Sequence, residues 1–193
     1  MEHKKRCAWA KRPEEIKYHD KEWGVPEYED GKLFELLILE SFQAGLSWLT
    51  ILKKREYFRE AFDHFDYNKI VDYSTYKINQ LLNNPNIIKK KKKIDAAIKN
   101  AAVFKQIQKD YGSFKNYFWG FTDFKPIINT WKNASEVPAK TSLSDKISKN
   151  MKQKGFTFFG STICYSFMQA VGMVNDHEVD CFRYKELLNT IKK

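Results

Sequence analysis

The sequence is short of several things, and each shortage excludes a class of protein. Only three cysteines, Cys7, Cys164 and Cys181, occur among 193 residues. That number is too small and too odd for a disulfide framework, which points to a reducing compartment and to metal or core roles for the thiols. Long apolar runs are missing too: no stretch approaches the ~20 residues that a membrane span needs. Met1 to Arg12 is polar and basic, without the apolar segment of a secretory signal. The expected location is cytoplasmic, with no membrane contact. Runs with strict strand alternation are short and few, and internal repeats and low-complexity linkers do not occur, so the fold is expected to be mainly α. Arginine is scarce, at positions 6, 12, 55, 59 and 183 alone, so the formal net charge of +10 is lysine's work.

What is present describes a globular chain. Hydrophobic residues make up 42% and charged residues 30%, enough for one cooperative unit over residues 1–193 with a real core. The positive balance draws the chain toward polyanions such as nucleic acid, though charge alone does not separate that from a lysine-rich composition.

Apolar periodicity places the helices. One follows Asp30 as N-cap and carries Leu33, Leu36, Leu37 and Glu40 on one side until Gly45 ends it; Ser47 caps the next, which bears Trp48, Ile51, Leu52, Phe58 and Phe62. Gly45-Leu46-Ser47 is then a tight link between two packed helices. Ile78, Leu81 and Leu82 mark a short helix broken at Asn84-Pro85-Asn86, and a longer one runs from Ile94 to Ile107. Residues 112–142 read as irregular with short helical turns. Two further helices are expected, one over 142–154 ended by Gly155 and one from Ser161 to Gly172.

Three groups of residues carry chemistry. Glu40 shares a face with apolar neighbours, so its carboxylate points inward, either into an ion pair or toward a ligand amine, with Trp48 nearby as a stacking face. Cys7, His19, His177 and Cys181 suit tetrahedral zinc in type and number, with His177 and Cys181 one turn apart if helical; the Cys7 to His19 separation fits no standard finger. With four protein donors such a site is structural and ties the two chain ends. Asn86, Ile87, Ile88 and the run Lys89 to Lys93 offer backbone N–H groups at a helix start to a phosphate, or else form a solvated basic surface. Cys164 sits on an apolar stripe and reads as core, while His3 and His64 read as surface residues. Tyr18 and Trp23 flank His19 and read first as packing.

Several longer motifs then converge: Tyr18-His19-Asp20, Glu22-Trp23-Gly24-Val25-Pro26, Gln43-Ala44-Gly45-Leu46-Ser47-Trp48, the segment Thr162 to Ala170, and Asn175-Asp176-His177 through Cys181. Together they resemble the constitutive bacterial 3-methyladenine DNA glycosylase I family over nearly the whole chain. The resemblance implies a helix-hairpin-helix DNA glycosylase fold, with that motif at about 76–108 and a zinc site of Cys7, His19, His177 and Cys181 joining the N- and C-terminal segments. It implies that Glu40 is the catalytic residue recognising the methylated base, that Tyr18 and Trp48 sandwich or line that base, and that Trp23 and Trp9 wall the pocket. Leu46 would press into the DNA stack, and Asn86, Ile87, Ile88, Lys89 and Lys91 would grip the backbone. The expected partners are alkylated double-stranded DNA and free 3-methyladenine as product, and the expected state is a monomer. Asn86 stands where relatives often carry Gly, Ser41 and Phe42 follow Glu40 where smaller or more polar residues are common, and the Cys7 to His19 segment is one residue shorter than in some relatives. The competing reading is a non-catalytic, zinc-stabilised module that binds damaged DNA; a purely structural metal protein explains neither Glu40 nor the hairpin.

Overall fold

The computed structural model describes residues 4–191, so His3 lies outside the described residues. The chain folds as α1 (Pro13–Lys21), α2 (Asp30–Gln43), α3 (Trp48–Ala61), α4 (Tyr67–Ile70), α5 (Thr75–Asn83), α6 (Lys91–Tyr111), α7 (Phe114–Trp119), α8 (Ser142–Gln153), α9 (Ser161–Ala170) and α10 (Phe182–Ile191). Two short strands, β1 (Ile127–Ile128) and β2 (Val174–Asn175), pair in parallel with Ile127 opposite Val174. Among the described residues no helix is long and apolar enough to cross a membrane.

The fold is organised around α2, which packs against α3, α6, α7 and α9. Residues 33–42 are all buried, so α2 is a central helix apolar on every side rather than a helix with one inward face. The polar groups it carries inside are therefore held by partners or kept for use. Glu35 accepts hydrogen bonds from Arg55 (2.6 Å) and Arg59 (2.7 Å) of α3, and Arg55 also reaches Glu22 just after α1 (2.6 Å). Four of the five arginines, Arg6, Arg55, Arg59 and Arg183, are engaged in ion pairs with acidic side chains. The scarce guanidinium groups brace the fold, and lysine is left for the surface.

Helix ends differ from expectation in one place. The N-cap of α2 is Glu29, whose carboxylate accepts from the Gly31 N–H at 3.0 Å. Asp30 instead accepts from the N–H groups of Phe114 (2.9 Å) and Lys115 (2.8 Å) at the start of α7, satisfying donors that a helix N-terminus leaves free. The stretch 112–142, expected to be irregular with short helical turns, holds α7, with Phe114, Tyr117, Phe118 and Trp119 buried. Six residues are too short for a helical period to show, and an all-apolar face erases it.

Ser47 caps α3 as expected, accepting from the Thr50 N–H at 3.2 Å. The tight link 44–47 is clamped from α6: the Lys93 ammonium donates to the carbonyls of Phe42 and Ala44, both at 2.7 Å. Lys93 is thus buried, unlike Lys89 to Lys92 before it.

Candidate functional site

The segment after α1 reaches the site because glycine lets it. Gly24 (φ +75°) has no room for a side chain, since a Cβ there would lie 2.7 Å from the His177 ring; at Gly172 (φ +70°) a Cβ would meet the Val25–Pro26 backbone at 2.4 Å. Backbone bonds from Gly24 N–H to Gln169 and from Glu27 N–H to Val171 then dock this segment on the end of α9. Tyr18 and Trp23 are thereby carried against α2 and α3.

Between these elements lies a cavity of about 440 Å³, bordered by Trp9, Tyr18, Trp23, Glu40, Trp48 and, on the far side, Tyr165 and Asp176. Glu40 is 4% exposed, and among the described residues no cation or hydrogen-bond donor reaches its carboxylate. The alternative of an internal ion pair is therefore not realised; the neighbouring Glu35 takes the arginines instead. Burial pushes the Glu40 carboxyl up from 4.5 to about 8. Two more polar groups on the cavity wall, the Tyr18 hydroxyl and the Trp48 indole N–H, are buried without a partner. Burial raises the Tyr18 hydroxyl pKa well above its usual value, and the nearby Glu40 charge adds to this. Two unsatisfied donors beside a carboxylate that meets no cation constitute a cost to the fold that a bound polar ring could relieve.

The aromatic walls are mutually supporting. The Tyr18 and Trp48 rings are 5.4 Å apart and tilted by 52°, in direct contact, so they form two sides of a corner rather than parallel plates. Trp9 stands edge-on to Trp23 at 5.1 Å. Opposite, Asp176 is a buried carboxylate with both oxygens engaged, accepting from Asn129 (2.6 Å), Trp131 (2.8 Å), Tyr165 (2.6 Å) and Gln169 (2.8 Å). The sequence did not single out this cluster, because two of its donors lie in the irregular segment after β1 and reach Asp176 only through the β1–β2 pairing. Phe42 is absent from the cavity wall: it is buried in the core against Phe58 and Phe62.

Behind Trp9 and Trp23, the donor atoms of Cys7, His19 and Cys181 lie within 4.8 Å of one another, all buried. His177 is outside that group but adjacent to it, its ring 5.0 Å from that of His19. The expected helical turn between His177 and Cys181 is not formed, since β2 ends at Asn175 and α10 begins at Phe182; the two residues approach through a turn. Each imidazole has its Nδ1 held by an oxygen, His19 by Asp20 at 2.8 Å and His177 by Asn175 at 2.9 Å. The remaining Nε2 of His177 is buried with no partner, and that of His19 faces the Cys181 sulfur at 3.4 Å. Burial keeps His177 neutral, with its pKa pushed down to about 3, and the Cys7 hydrogen bond pulls the Cys181 thiol down. Two thiols and two imidazoles oriented through their Nδ1 atoms fit a thiophilic metal such as zinc.

The hairpin between α5 and α6 lies beside the link 44–47. Asn86, Lys89 and Lys91 are exposed, Ile88 is half-buried, and Ile87 is 4% exposed. The Ile87 side chain therefore belongs to the core, and that residue can offer a ligand only its backbone. Lys91 pairs with Asp95 at 2.7 Å on the surface. Lys54 donates to the Asn86 carbonyl at 2.8 Å, fixing the hairpin to α3. Leu46, 38% exposed, projects from the link between this basic face and the cavity. His64 is exposed and Cys164 is fully buried, as expected.

A helical framework whose aromatic cavity holds an unpaired buried carboxylate, next to a basic hairpin, defines a protein built to take up a flat polar ring close to a polyanion. The chain belongs to the methyladenine glycosylase family, whose model matches residues 9–184. It is 46% identical to DNA-3-methyladenine glycosylase 1 of Escherichia coli, covering 93% of this chain and 96% of that protein. It is 45% identical to DNA-3-methyladenine glycosylase of Haemophilus influenzae, covering 91% and 96%. Among solved structures it is similar to 3-methyladenine DNA glycosylase I from Staphylococcus aureus, with a TM-score of 0.89, 39% identity and coverage of 92% of this chain and 95% of that one.

Proposed function

We propose that the protein is a DNA-repair N-glycosylase that releases 3-methyladenine from alkylated duplex DNA and leaves an abasic site. Family membership supports this reading. The observation that carries it is Glu40, a carboxylate buried without a counter-ion in a cavity walled by aromatic rings.

The target nucleotide must leave the stack, because its glycosidic bond is out of reach inside the duplex. Leu46 presses into the space it vacates, and the helix-hairpin-helix formed by α5 and α6 holds the backbone through Asn86, Ile88, Lys89, Lys91 and the Ile87 N–H. In the cavity the 3-methylated adenine, a cation, meets the corner of Tyr18 and Trp48, with Trp9 and Trp23 behind. Its exocyclic amine donates to Glu40. The positive charge of the base and the negative charge of Glu40 favour one another where little water screens them. Water then attacks C1′ as the C1′–N9 bond breaks; the bonding electrons neutralise the departing base, and the proton of the attacking water leaves to solvent. No protein nucleophile is involved, so no covalent intermediate forms and no strand is cut.

Zinc, held by Cys7, His19, His177 and Cys181, serves as a structural tie, since four protein donors leave no position for water. The protein works as a single unit over residues 1–193, a monomer in the cytoplasm, where its three cysteines stay out of disulfides.

The test is release of free 3-methyladenine from methylated duplex DNA by the protein and by Glu40→Gln. Release by the first and loss in the second supports the reading. Tight binding of damaged DNA without release would establish the non-catalytic module instead.

A further inference from the structure

Phe158 lies outside both the base cavity and the Cys/His cluster. It is a large aromatic side chain 39% exposed, between Phe156 and Phe159, which are both buried. Its φ is +52°, in the left-handed region that bulky residues rarely adopt. The turn is pinned on both flanks. The buried Asn100 amide accepts from the Thr157 N–H at 2.9 Å and donates to the Thr157 carbonyl at 3.0 Å, and the Ser148 hydroxyl donates to the Phe159 carbonyl at 2.8 Å. Phe158 is thus turned outward by a turn pinned on both sides, which leaves its ring free for a purpose outside the core.

Its position says what that purpose is. A surface recess of about 440 Å³ is lined by Leu46, Ile88, Phe158 and the lysines at the start of α6. Among the described residues, Leu46 and Phe158 are the two large, exposed apolar side chains that border it. Both therefore stand on the face that Lys90, Lys91 and Lys92 make positive, the charge a phosphate backbone requires. Extruding a nucleotide bares the faces of its neighbours and orphans the opposite base, a gap larger than one leucine side chain fills.

We infer that Phe158 is a second apolar contact to duplex DNA, entering or capping the base stack beside Leu46 on the lysine-flanked face. This rests on the proposed function and adds to it a DNA-contact residue remote from the base pocket. An aromatic ring suits the task because every base presents a π-face, so the contact is indifferent to sequence.

The experiment compares the protein with Phe158→Ala and Phe158→Tyr, using a duplex with a stable abasic-site analogue and 2-aminopurine beside it. Phe158→Ala is expected to weaken binding about tenfold and to reduce the 2-aminopurine fluorescence change, while Phe158→Tyr restores both to within about twofold. Binding of free 3-methyladenine, read by tryptophan fluorescence, should be unchanged in both variants, which also shows that they fold. The inference is overturned if Phe158→Ala matches the unaltered protein in affinity and fluorescence, if Phe158→Tyr fails to rescue, or if free-base binding is lost in parallel. Unaltered protein that neither binds this duplex nor releases 3-methyladenine would refute the proposed function, and this inference with it.

Discussion

At the scale of the residue, Glu40 is where the fold accepts a loss for the sake of function. Burial raises its carboxyl from 4.5 to about 8, so in the free protein it is mostly neutral at pH 7 and ionises as pH rises. A cationic lesion needs the ionised form. Single-turnover release of 3-methyladenine, corrected for spontaneous loss, should therefore climb from pH 6 to about 8 and level off; Glu40→Gln should be slow and flat across that range. The same shift acts on stability with the opposite sense. The folded state holds this proton more tightly than the unfolded state, so stability attributable to Glu40 is greatest below about pH 4.5 and declines until the group is ionised in both states above about pH 8. Glutamine carries no such penalty. Glu40→Gln should gain on the order of 2 kcal/mol over the unaltered protein at pH 8.5, several degrees in Tm, and much less at pH 5. Thermal melts of both proteins at the two pH values decide this, and equal melting at pH 8.5 would rule it out.

At the scale of the element, the start of α6 shows one run of identical residues divided between two jobs. Lys89 to Lys92 face solvent, whereas Lys93 turns in to hold the carbonyls of Phe42 and Ala44. Removing the ammonium leaves two carbonyls at the end of α2 without that partner, so Lys93→Met should lower stability by about 1–3 kcal/mol in urea unfolding. Lys89→Met should leave stability unchanged and reduce the salt dependence of DNA binding by about one unit of slope. If both variants affected the same property, the division of roles would be wrong. This division was not legible in the sequence, since five consecutive lysines carry no mark of which one falls on the inward side. The helices themselves were legible where apolar periodicity ran for several turns and glycine marked the end, as in α2, α8 and α9. Periodicity suggested a single inward face for α2, which is buried all round, and it showed little of α7, too short to carry a period. Asp30 looked like a cap and is one, but for α7, a partner more than eighty residues away that no local pattern names. The site divides along the same line: Glu40, Tyr18, Trp48 and the thiol and imidazole donors were readable from motifs, whereas the Asp176 cluster exists only because β1 lies beside β2.

At the scale of the whole molecule, the chain ends and the cavity form one mechanical unit. The Phe182 N–H donates to the Lys5 carbonyl at 2.9 Å and the Ala8 N–H to Glu178 at 2.9 Å, so the N-terminal segment is laced to the turn before α10 around Cys7, His19 and Cys181. The cavity walls rest on the same residues: Trp9 lies 5.4 Å from the His19 ring and Trp23 lies 4.5 Å from the His177 ring. The basic hairpin, by contrast, is anchored to α3 and to the core through Lys54 and Ile87, and among the described residues it makes no hydrogen bond or ion pair to the terminal segments. Loosening the ends should thus disturb the base pocket and spare the DNA face. Elemental analysis is expected to find one zinc per chain, and Cys181→Ser to lose it. That variant should show faster amide exchange over residues 4–24 and 176–191 and bind free 3-methyladenine at least about tenfold more weakly, because structural zinc supplies folding free energy directly. The affinity for undamaged duplex and its dependence on salt should hardly move. If Cys181→Ser instead lost duplex and free-base binding equally, the ends would be supporting the entire fold, and the separation of pocket from DNA face would not stand.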